Sequence, residues 1–449
     1  MKIRFVTLGC KLNFAESSAI GKALLQRGHT RAKQGEEADI CVINTCSVTD
    51  NADHKDRQTI HRIHRQNPNA IIIVTGCYAQ LQPEQIAQIE GVDYVLGQNE
   101  KYEITQLVDK IERLRDSLED TSLQDAASGY SLETQKIRVA NIREVEEFHG
   151  AYSKDDRTRC FLKVQDGCNY FCTYCTIPYA RGKSRNPAIS DIIKDAQEAL
   201  AQGAKEIILT GVNIGDFGRS TGEAFIDLLK ALDSLEDGVP PTERPTGYSL
   251  EARDYRIRIS SCEPNLLTDE IIDFVAHSKH FAPHFHIPLQ SGSNEVLSIM
   301  KRRYTRELFE ERVKHIKQVM PHAFIGVDCM VGVRGETEEC FNDYVEFIKR
   351  LDVSQLHVFT YSERANTRML ELDVCVVPKA ERQRRSKILH EISEEKTQTF
   401  YANQAGREAT VLWESKKEGD QMAGFTENYV KVYRPYEKEK VNTFEYIRL

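Results

Sequence analysis

Cys168-Asn169-Tyr170-Phe171-Cys172-Thr173-Tyr174-Cys175 places three thiols within eight residues, directly after an apolar, strand-like run at 159–164, and no other stretch constrains the chain as much. Three thiolates at CxxxCxxC spacing can wrap one face of a cubane [4Fe-4S] cluster and leave the fourth iron without a protein ligand. That open iron is a binding site. S-adenosylmethionine chelates an iron of this kind through its amino and carboxylate groups, and an electron from the cluster then cleaves the sulfonium to a 5′-deoxyadenosyl radical. The cofactor carries the hard chemistry and the protein holds it. The alternative is a structural zinc shell, which closes with four ligands, and this loop holds no fourth Cys or His.

A second set of cysteines is dispersed. Cys10, Cys46 and Cys77 follow the apolar runs at 3–8, 38–44 and 70–75. Each lies within about two residues of a strand end, and strands alternating with helix-compatible segments predict a parallel sheet whose C-terminal ends share one edge. Three thiols can therefore converge there and hold another cluster. Read singly, each would be a small buried hydrophobe. Cys41 and Cys329 fall mid-strand and Cys160 near a strand start, so packing is expected of them; Cys262, Cys340 and Cys375 receive no role.

The 449 residues suggest about three domains. With 40% hydrophobic and 29% charged residues, disorder and a disulfide mini-scaffold are excluded. The net charge of −8 argues against indiscriminate coating of nucleic acid. The N-terminus lacks a signal-peptide pattern and no run approaches the ~18 apolar residues of a membrane span, so a cytoplasmic protein with no membrane association is expected. Twelve cysteines in a reducing compartment then point to metal ligation or catalysis.

The fold expected is α/β. A charged helix ends near 119 and a polar stretch covers 121–129. Beyond it, strands are expected at 159–164, 206–210, 255–260, 284–287, 324–331 and 355–359, the pattern of an open or partial (βα)6 barrel, with a surface loop at 240–255. A basic helix from 378 to about 403 leads to β alternation at 409–413, 429–433 and 443–447, a small C-terminal β-barrel or sheet.

Together these segments resemble the radical S-adenosylmethionine methylthiotransferase family over nearly the whole chain. Thr7-Leu8-Gly9-Cys10-Lys11-Leu12-Asn13, Asn44-Thr45-Cys46-Ser47-Val48-Thr49 and Thr75-Gly76-Cys77 look like its N-terminal domain. Cys168 to Cys175, extended through Thr176-Ile177-Pro178-Tyr179-Ala180-Arg181-Gly182-Lys183-Ser184-Arg185, is similar to its radical motif. The tail looks like the TRAM domain with which such enzymes hold RNA. The Gly9 to Asn13 opening and Gly424-Phe425-Thr426-Glu427-Asn428-Tyr429-Val430 look most like the branch acting on N6-threonylcarbamoyladenosine at position 37 of tRNA. Sister branches modify N6-isopentenyladenosine or an aspartate of a small-subunit ribosomal protein.

The resemblance implies a methylthiotransferase domain at 1–120, a linker at 121–145, a radical SAM core at 146–385 and a connecting helix with a TRAM-like domain at 386–449. It implies two [4Fe-4S] clusters, on Cys10, Cys46, Cys77 and on Cys168, Cys172, Cys175, with S-adenosylmethionine as methyl donor and radical source. The partners implied are a tRNA anticodon stem-loop, an electron donor such as flavodoxin or ferredoxin, and a sulfur source. A non-catalytic iron-sulfur or zinc RNA-binding protein is the alternative from another class. Two segments depart from the family pattern. Gly332-Val333-Arg334-Gly335-Glu336-Thr337 stands where Gly-Phe-Pro-Gly-Glu-Thr is usual, and Thr360 and Glu363 stand where Pro is common.

Tyr174, beside the last loop cysteine, is expected to pack on the cofactor's adenine as the family aromatic does. Gly211, Asn213, Ser260 and Gln290 lie at strand ends, where cofactor contact and turn or capping duty are both open. The basic stretches 301–306 and 382–387 are either phosphate contacts or solvated helix faces. Trp413, Phe425, Tyr429 and Tyr433 with Lys431 and Arg434 form a mix able to stack bases and neutralise backbone.

Overall fold

The computed structural model describes residues 1–33, 35–119, 136–153, 158–235 and 255–449. The polar stretch at 121–129 and the loop at 240–254 lie outside the described residues. The chain divides into two compact units, Met1–Glu146 with Thr176–Lys183, and Glu147–Cys175 with Ser184–Leu449.

The first unit is a six-stranded, wholly parallel sheet of β1 (Lys2–Thr7), β2 (Thr30–Arg31), β3 (Ile40–Thr45), β4 (Ile71–Gly76), β5 (Tyr94–Leu96) and β6 (Ile137–Arg138), in the order β2-β1-β3-β4-β5-β6. Strands covered on both faces read as continuous apolar runs, which is why β3 is buried at every position. Its Ile40 and Val42 pack on one side with Leu24, Leu107 and Ile111; Cys41 and Ile43 pack on the other with Ile60, Ile63 and Tyr78. β6 falls within the stretch read as linker.

In the second unit all six expected strands are present: β7 (Arg159–Lys163), β8 (Glu206–Thr210), β9 (Arg256–Ile259), β10 (His284–Gln290), β11 (Phe324–Val331) and β12 (Gln355–Thr360). They form two parallel three-stranded sheets. Parallel bridges Ile257–Phe281 and Ser261–His286 connect the β9 and β10 segments. Phe285, Ile287, Val327 and Leu356 bury against Phe309, Val313, Phe347 and Leu389 of the covering helices, which leaves His286, Asp328 and His357 on the opposite strand face. Cys160, Cys262 and Cys329 belong to this core.

The C-terminal sheet is antiparallel, β15-β14-β13-β16, made of β13 (Glu408–Glu418), β14 (Gln421–Thr426), β15 (Lys431–Pro435) and β16 (Phe444–Arg448). It has one strand more than expected. β14 was hidden because Gly424 and a short polar-apolar run blur its alternation. The charged end of β13 read as a turn, but the true turn is the two-residue Gly419-Asp420, with Glu418 paired to Gln421 and Gly419 at φ 65.

This sheet packs on the N-terminal ends of β7, β8 and β9. The Glu206 carboxylate, fully buried, pairs with Arg256 and Arg258. Arg256 donates onward to the carbonyls of Thr410 (3.2 Å) and Phe425 (2.9 Å), and Arg258 to that of Glu427 (3.1 Å). Burial works against the charged form of Glu206, but Arg256, Arg258 and Arg159 hold it well below the usual carboxylate range. Glu206→Gln leaves buried guanidinium groups uncompensated and should cost ~3 to 5 kcal/mol by chemical denaturation. A depressed folded-state pKa contributes stability above the unfolded value near ~4.3, and that contribution is lost as pH falls through the folded value. The wild type should therefore lose stability below about pH 4.3 more steeply than the Gln variant; equal acid profiles would remove the assignment.

Candidate functional site

In the second unit the cysteine loop begins just beyond β7. Gly167 (φ 69) and Phe171 (φ 53) both turn through left-handed backbone, unusual for a bulky aromatic residue. Neighbours hold that shape: Cys175 N–H donates to the Cys172 carbonyl (3.0 Å), and Thr173 is bonded to the carbonyls of Met300 (3.2 Å) and Ile299 (2.9 Å). Gln165 ties the loop to the end of β8. Its Oε1 accepts from the backbone N–H groups of Val212 and Asn213, both at 2.9 Å, and its Nε2 donates to the carbonyls of Asp166 (2.9 Å) and Gly167 (2.7 Å).

Arg302 enters the loop from the basic stretch at 301–306. Its Nη1 donates to Cys172 Sγ at 3.0 Å and to Tyr174 Oη at 3.4 Å, its Nε to Tyr304 Oη at 3.1 Å, and it pairs with Glu263. Arg303 lies over the Tyr170 ring, and Arg306 pairs with Glu307 and Asp343. In the other basic stretch Arg382, Arg384 and Arg385 meet Glu363, Glu338, Glu381 and Glu336. The arginines of both stretches are thus committed to partners within the chain.

Burial pushes the Cys168 thiol up to about 12 and raises that of Cys172, with Arg302 pulling the latter back. Such thiols are protonated and poorly nucleophilic at neutral pH, whereas ligation to a metal removes the proton outright. The remaining candidates divide. Both polar side-chain atoms of Asn213 and the Oε1 of Gln290 are buried without a hydrogen-bond partner, and Gln290 holds φ 64. Buried polar atoms are normally paired, so these mark a place shaped for a polar ligand. A Cβ on Gly211 would come within 2.8 Å of Ile214 and 3.0 Å of the Gln165 carbonyl, a packing reason for glycine. Ser260 is buried at the end of β9. Tyr174 packs with Val296, Met300, Tyr361 and Met369.

The strand face left open by the helices carries a set missed in sequence. His286 Nε2 lies 2.7 Å and His357 Nδ1 3.4 Å from Asp328 Oδ1, a His-Asp-His group with ligand atoms close enough for one cation. Burial opposes the Asp328 carboxylate, but His286 and His357 hold it below its usual range. The two departures from the family pattern also meet, since Arg334 pairs with Glu363 at 2.8 Å.

In the first unit Cys10, Cys46 and Cys77 follow β1, β3 and β4 at the shared C-terminal edge. A Cβ on Gly9 (φ 95) would stand 2.5 Å from Cys46 Cβ and 2.9 Å from its Sγ, so this turn closes directly on Cys46. A Cβ on Gly76 would overlap the Thr45 carbonyl at 2.3 Å. Only glycine lets these strand ends approach. Burial raises the Cys46 thiol, and the neighbouring Cys77 and Cys10 thiols raise it further. Gln98 Nε2 donates to Cys77 Sγ at 3.1 Å. Three convergent thiols, two of them buried, suit a soft-metal cluster.

The C-terminal aromatics are placed differently from expectation. Trp413 is buried with its Nε1 on Glu445 (2.6 Å). Phe425 and Tyr429 stack together and carry Arg159, with Arg258 also over Tyr429. These three serve packing. Tyr433 remains exposed beside Lys431, and Tyr446, which the sequence did not single out, is more exposed still.

Residues 2–97 match the model of the uncharacterized protein family UPF0004, and residues 162–348 that of the radical SAM superfamily. A threonylcarbamoyladenosine tRNA methylthiotransferase MtaB of Bacillus subtilis is 37% identical over 96% of this chain and 89% of its own, and one of Aquifex aeolicus 35% over 98% of both. A tRNA-2-methylthio-N(6)-dimethylallyladenosine synthase of Pelotomaculum thermopropionicum is 30% identical over 94% of this chain and 88% of its own. Among solved structures, the radical S-adenosylmethionine methyltransferase TsrM of Kitasatospora setae shares the fold, with a TM-score of 0.54 and 15% identity over 80% of this chain and 72% of that one.

Proposed function

The chain belongs to the radical S-adenosylmethionine methylthiotransferase family, and from that premise we propose that it converts N6-threonylcarbamoyladenosine at position 37 of tRNA to its 2-methylthio derivative. The observation that carries the substrate is the 37% identity over 96% of the chain to a relative named for that nucleoside. Methylthiolation of N6-isopentenyladenosine is the second reading, favoured by relatives of the dimethylallyladenosine class at 28 to 31% identity. Nucleoside mass spectrometry of tRNA from a deletion strain decides between them. Loss of the methylthio mark from the threonylcarbamoyl nucleoside is expected; loss from the isopentenyl nucleoside, or from a ribosomal-protein aspartate in mass spectrometry of that protein from the same strain, overturns the reading.

When bound, two [4Fe-4S] clusters and S-adenosylmethionine supply the radical that removes the C2 hydrogen, the sulfur that replaces it and the methyl group that caps the sulfur. In this reading Cys168, Cys172 and Cys175 hold the radical cluster and Cys10, Cys46 and Cys77 the auxiliary one. Arg302, fixed by Glu263, steadies the Cys172 sulfur by a charge-assisted hydrogen bond. Gln165 keeps the loop in register with β8, and Asn213 offers an unpaired amide group and Gln290 an unpaired amide oxygen to the cofactor. Tyr174 and Ser260 border the same loop and strand ends as cofactor contacts, while Gly211 keeps the approach open.

The domains proposed are a methylthiotransferase domain at 1–120, a linker at 121–145, a partial (βα)6 radical SAM barrel at 146–385 and a TRAM-like domain at 386–449. An electron donor such as flavodoxin or ferredoxin and a sulfur source complete the set of partners. No helix among the described residues is long and apolar enough to cross a membrane, and a tRNA substrate supports a cytoplasmic location. The C-terminal sheet binds RNA through its outward aromatics. Removing it would strip acceptors from Arg256 and Arg258, so point variants make the cleaner test. Tyr433→Ala should weaken tRNA binding by ~1 to 3 kcal/mol, the value of one stacked base, while leaving thermal unfolding unchanged. Unaltered affinity in Tyr433→Ala and Tyr446→Ala alike would refute the RNA role.

A further inference from the structure

The helix Asp50–Gln66, which follows β3 and the Cys46 turn, separates its charges by sign. Asp53 and Asp56 are buried and serve the cysteine turn: Asp56 accepts the Cys46 N–H at 2.8 Å, and Asp53 accepts the Ser47 hydroxyl at 2.7 Å. With Thr59, Ile60 and Ile63 they make up the inner face. At 3.6 residues per turn, His54, Lys55, Gln58, His61, Arg62 and Arg65 fall on the opposite face, within an arc of about 120°. All of these are exposed. Lys55, Arg62 and Arg65 form no ion pair or hydrogen bond among the described residues.

Cations on an exposed helix face are commonly answered by a carboxylate three or four residues away. Around Lys55, Arg62 and Arg65 those positions hold Asn51, Gln58, His61 and Gln66 and no acid. The result is a positive strip ~15 Å long, at 1.5 Å per residue from Lys55 to Arg65. On a chain of net charge −8 such a strip is no by-product of basic composition. Its complement is a row of evenly spaced negative charges, which a phosphodiester backbone supplies. The other places where an RNA backbone could be neutralised offer less. The arginines of 301–306 and 382–387 are held by partners within the chain. Residues 400–449 balance 8 basic against 8 acidic residues, so their aromatics can stack bases but bring no net charge.

We propose that the outer face of the helix Asp50–Gln66 binds the phosphodiester backbone of RNA through Lys55, Arg62 and Arg65. The proposal deepens the function given above and rests on its tRNA substrate. Phosphate contacts fix position and carry no sequence information, so this face holds tRNA with or without the modified adenosine. The inner face of the same helix is bonded to the Cys46 turn. Backbone held on the outer face is therefore positioned relative to a residue assigned to the auxiliary cluster.

The test uses the full-length holoenzyme and a fluorescently labelled, unmodified tRNA transcript, with binding followed by anisotropy over a salt series. Lys55→Gln, Arg62→Gln and Arg65→Gln combined should weaken binding at least about tenfold at ~0.1 M salt. The slope of log K against log salt should become shallower by about 2 to 3, since each phosphate contact contributes ~0.7 to 0.9. The loss should be the same for transcripts that differ in anticodon-loop sequence. Lys55→Arg with Arg62→Lys and Arg65→Lys, which keeps the charges, should bind as the parent does, and thermal unfolding of both triple variants should match the parent's. Unchanged affinity and slope in the Gln triple overturn the proposal, as does equal weakening in the charge-conserving triple. A Gln triple that binds tRNA like the parent but turns over more slowly with flavodoxin or ferredoxin than with dithionite also overturns it, because an acidic protein then occupies the face. If the Gln triple fails to fold, the single Gln variants decide, each with a slope shallower by about one. A parent that binds no tRNA removes the substrate reading and the proposal with it, and is recognised before any variant is compared.

Discussion

Replacing any one of Cys168, Cys172 or Cys175 by alanine should abolish formation of 5′-deoxyadenosine, a loss of activity to the assay background. Three thiolates leave no spare ligand, so removal of one takes away a corner of the cluster and the iron that binds the cofactor. Gly167 and Phe171 turn through left-handed backbone, and Thr173 ties the loop to the Met300 and Ile299 carbonyls. Reconstituted variants assayed for 5′-deoxyadenosine by liquid chromatography provide the check. Full cofactor cleavage in any one of the three would contradict the assignment. Loss of folding is separated from loss of the cluster by circular dichroism, which should be unchanged.

The second large effect divides the two cysteine sets. The triple variant Cys10→Ala, Cys46→Ala, Cys77→Ala should still cleave S-adenosylmethionine and should form no methylthio product. Iron should fall by about four per chain, the content of one cubane cluster. The reason is compartmental: the three residues belong to one compact unit and the cysteine loop to another. Cys10 is exposed, whereas Cys46 and Cys77 are buried and make few polar bonds, so small residues should replace them without collapse of the sheet. Retained methylthiolation would eliminate the auxiliary role, and loss of both clusters together would reveal a folding dependence between the units.

Much of the fold was legible because it depends on local pattern. Apolar runs of strand length alternating with helical segments identify parallel strands buried on both faces, and the runs at 3–8, 38–44 and 70–75 became β1, β3 and β4. What failed was pattern too short or too irregular to register, as at β2, β5, β6 and β14. The candidate site was legible to the extent that its residues are cysteines, whose spacing carries chemistry. Arg302 stood in a basic run that reads as a solvated face, and only its burial against Cys172 distinguishes it from its neighbours. Asp328 and His357 carry no local signal. They meet His286 because three parallel strands set them in adjacent register.

Composition, cysteine spacing and hydrophobic period by themselves determined that this is an α/β chain with two sets of three cysteines at strand ends, since each of these properties is written within a few neighbouring residues. The pairing of charges and the direction of aromatics were decided only by tertiary structure. Glu16 meets Lys101 across 85 positions and Arg181 across 165. Arg334 and Glu363, two separate departures from a family pattern, form one salt bridge. Phe425 and Tyr429, which as a sequence suit a nucleic-acid surface, turn inward on Arg159. The physical reason is shared. A buried charge or ring needs a partner, and which partner it finds depends on where packing carries distant segments, a quantity that no local period encodes.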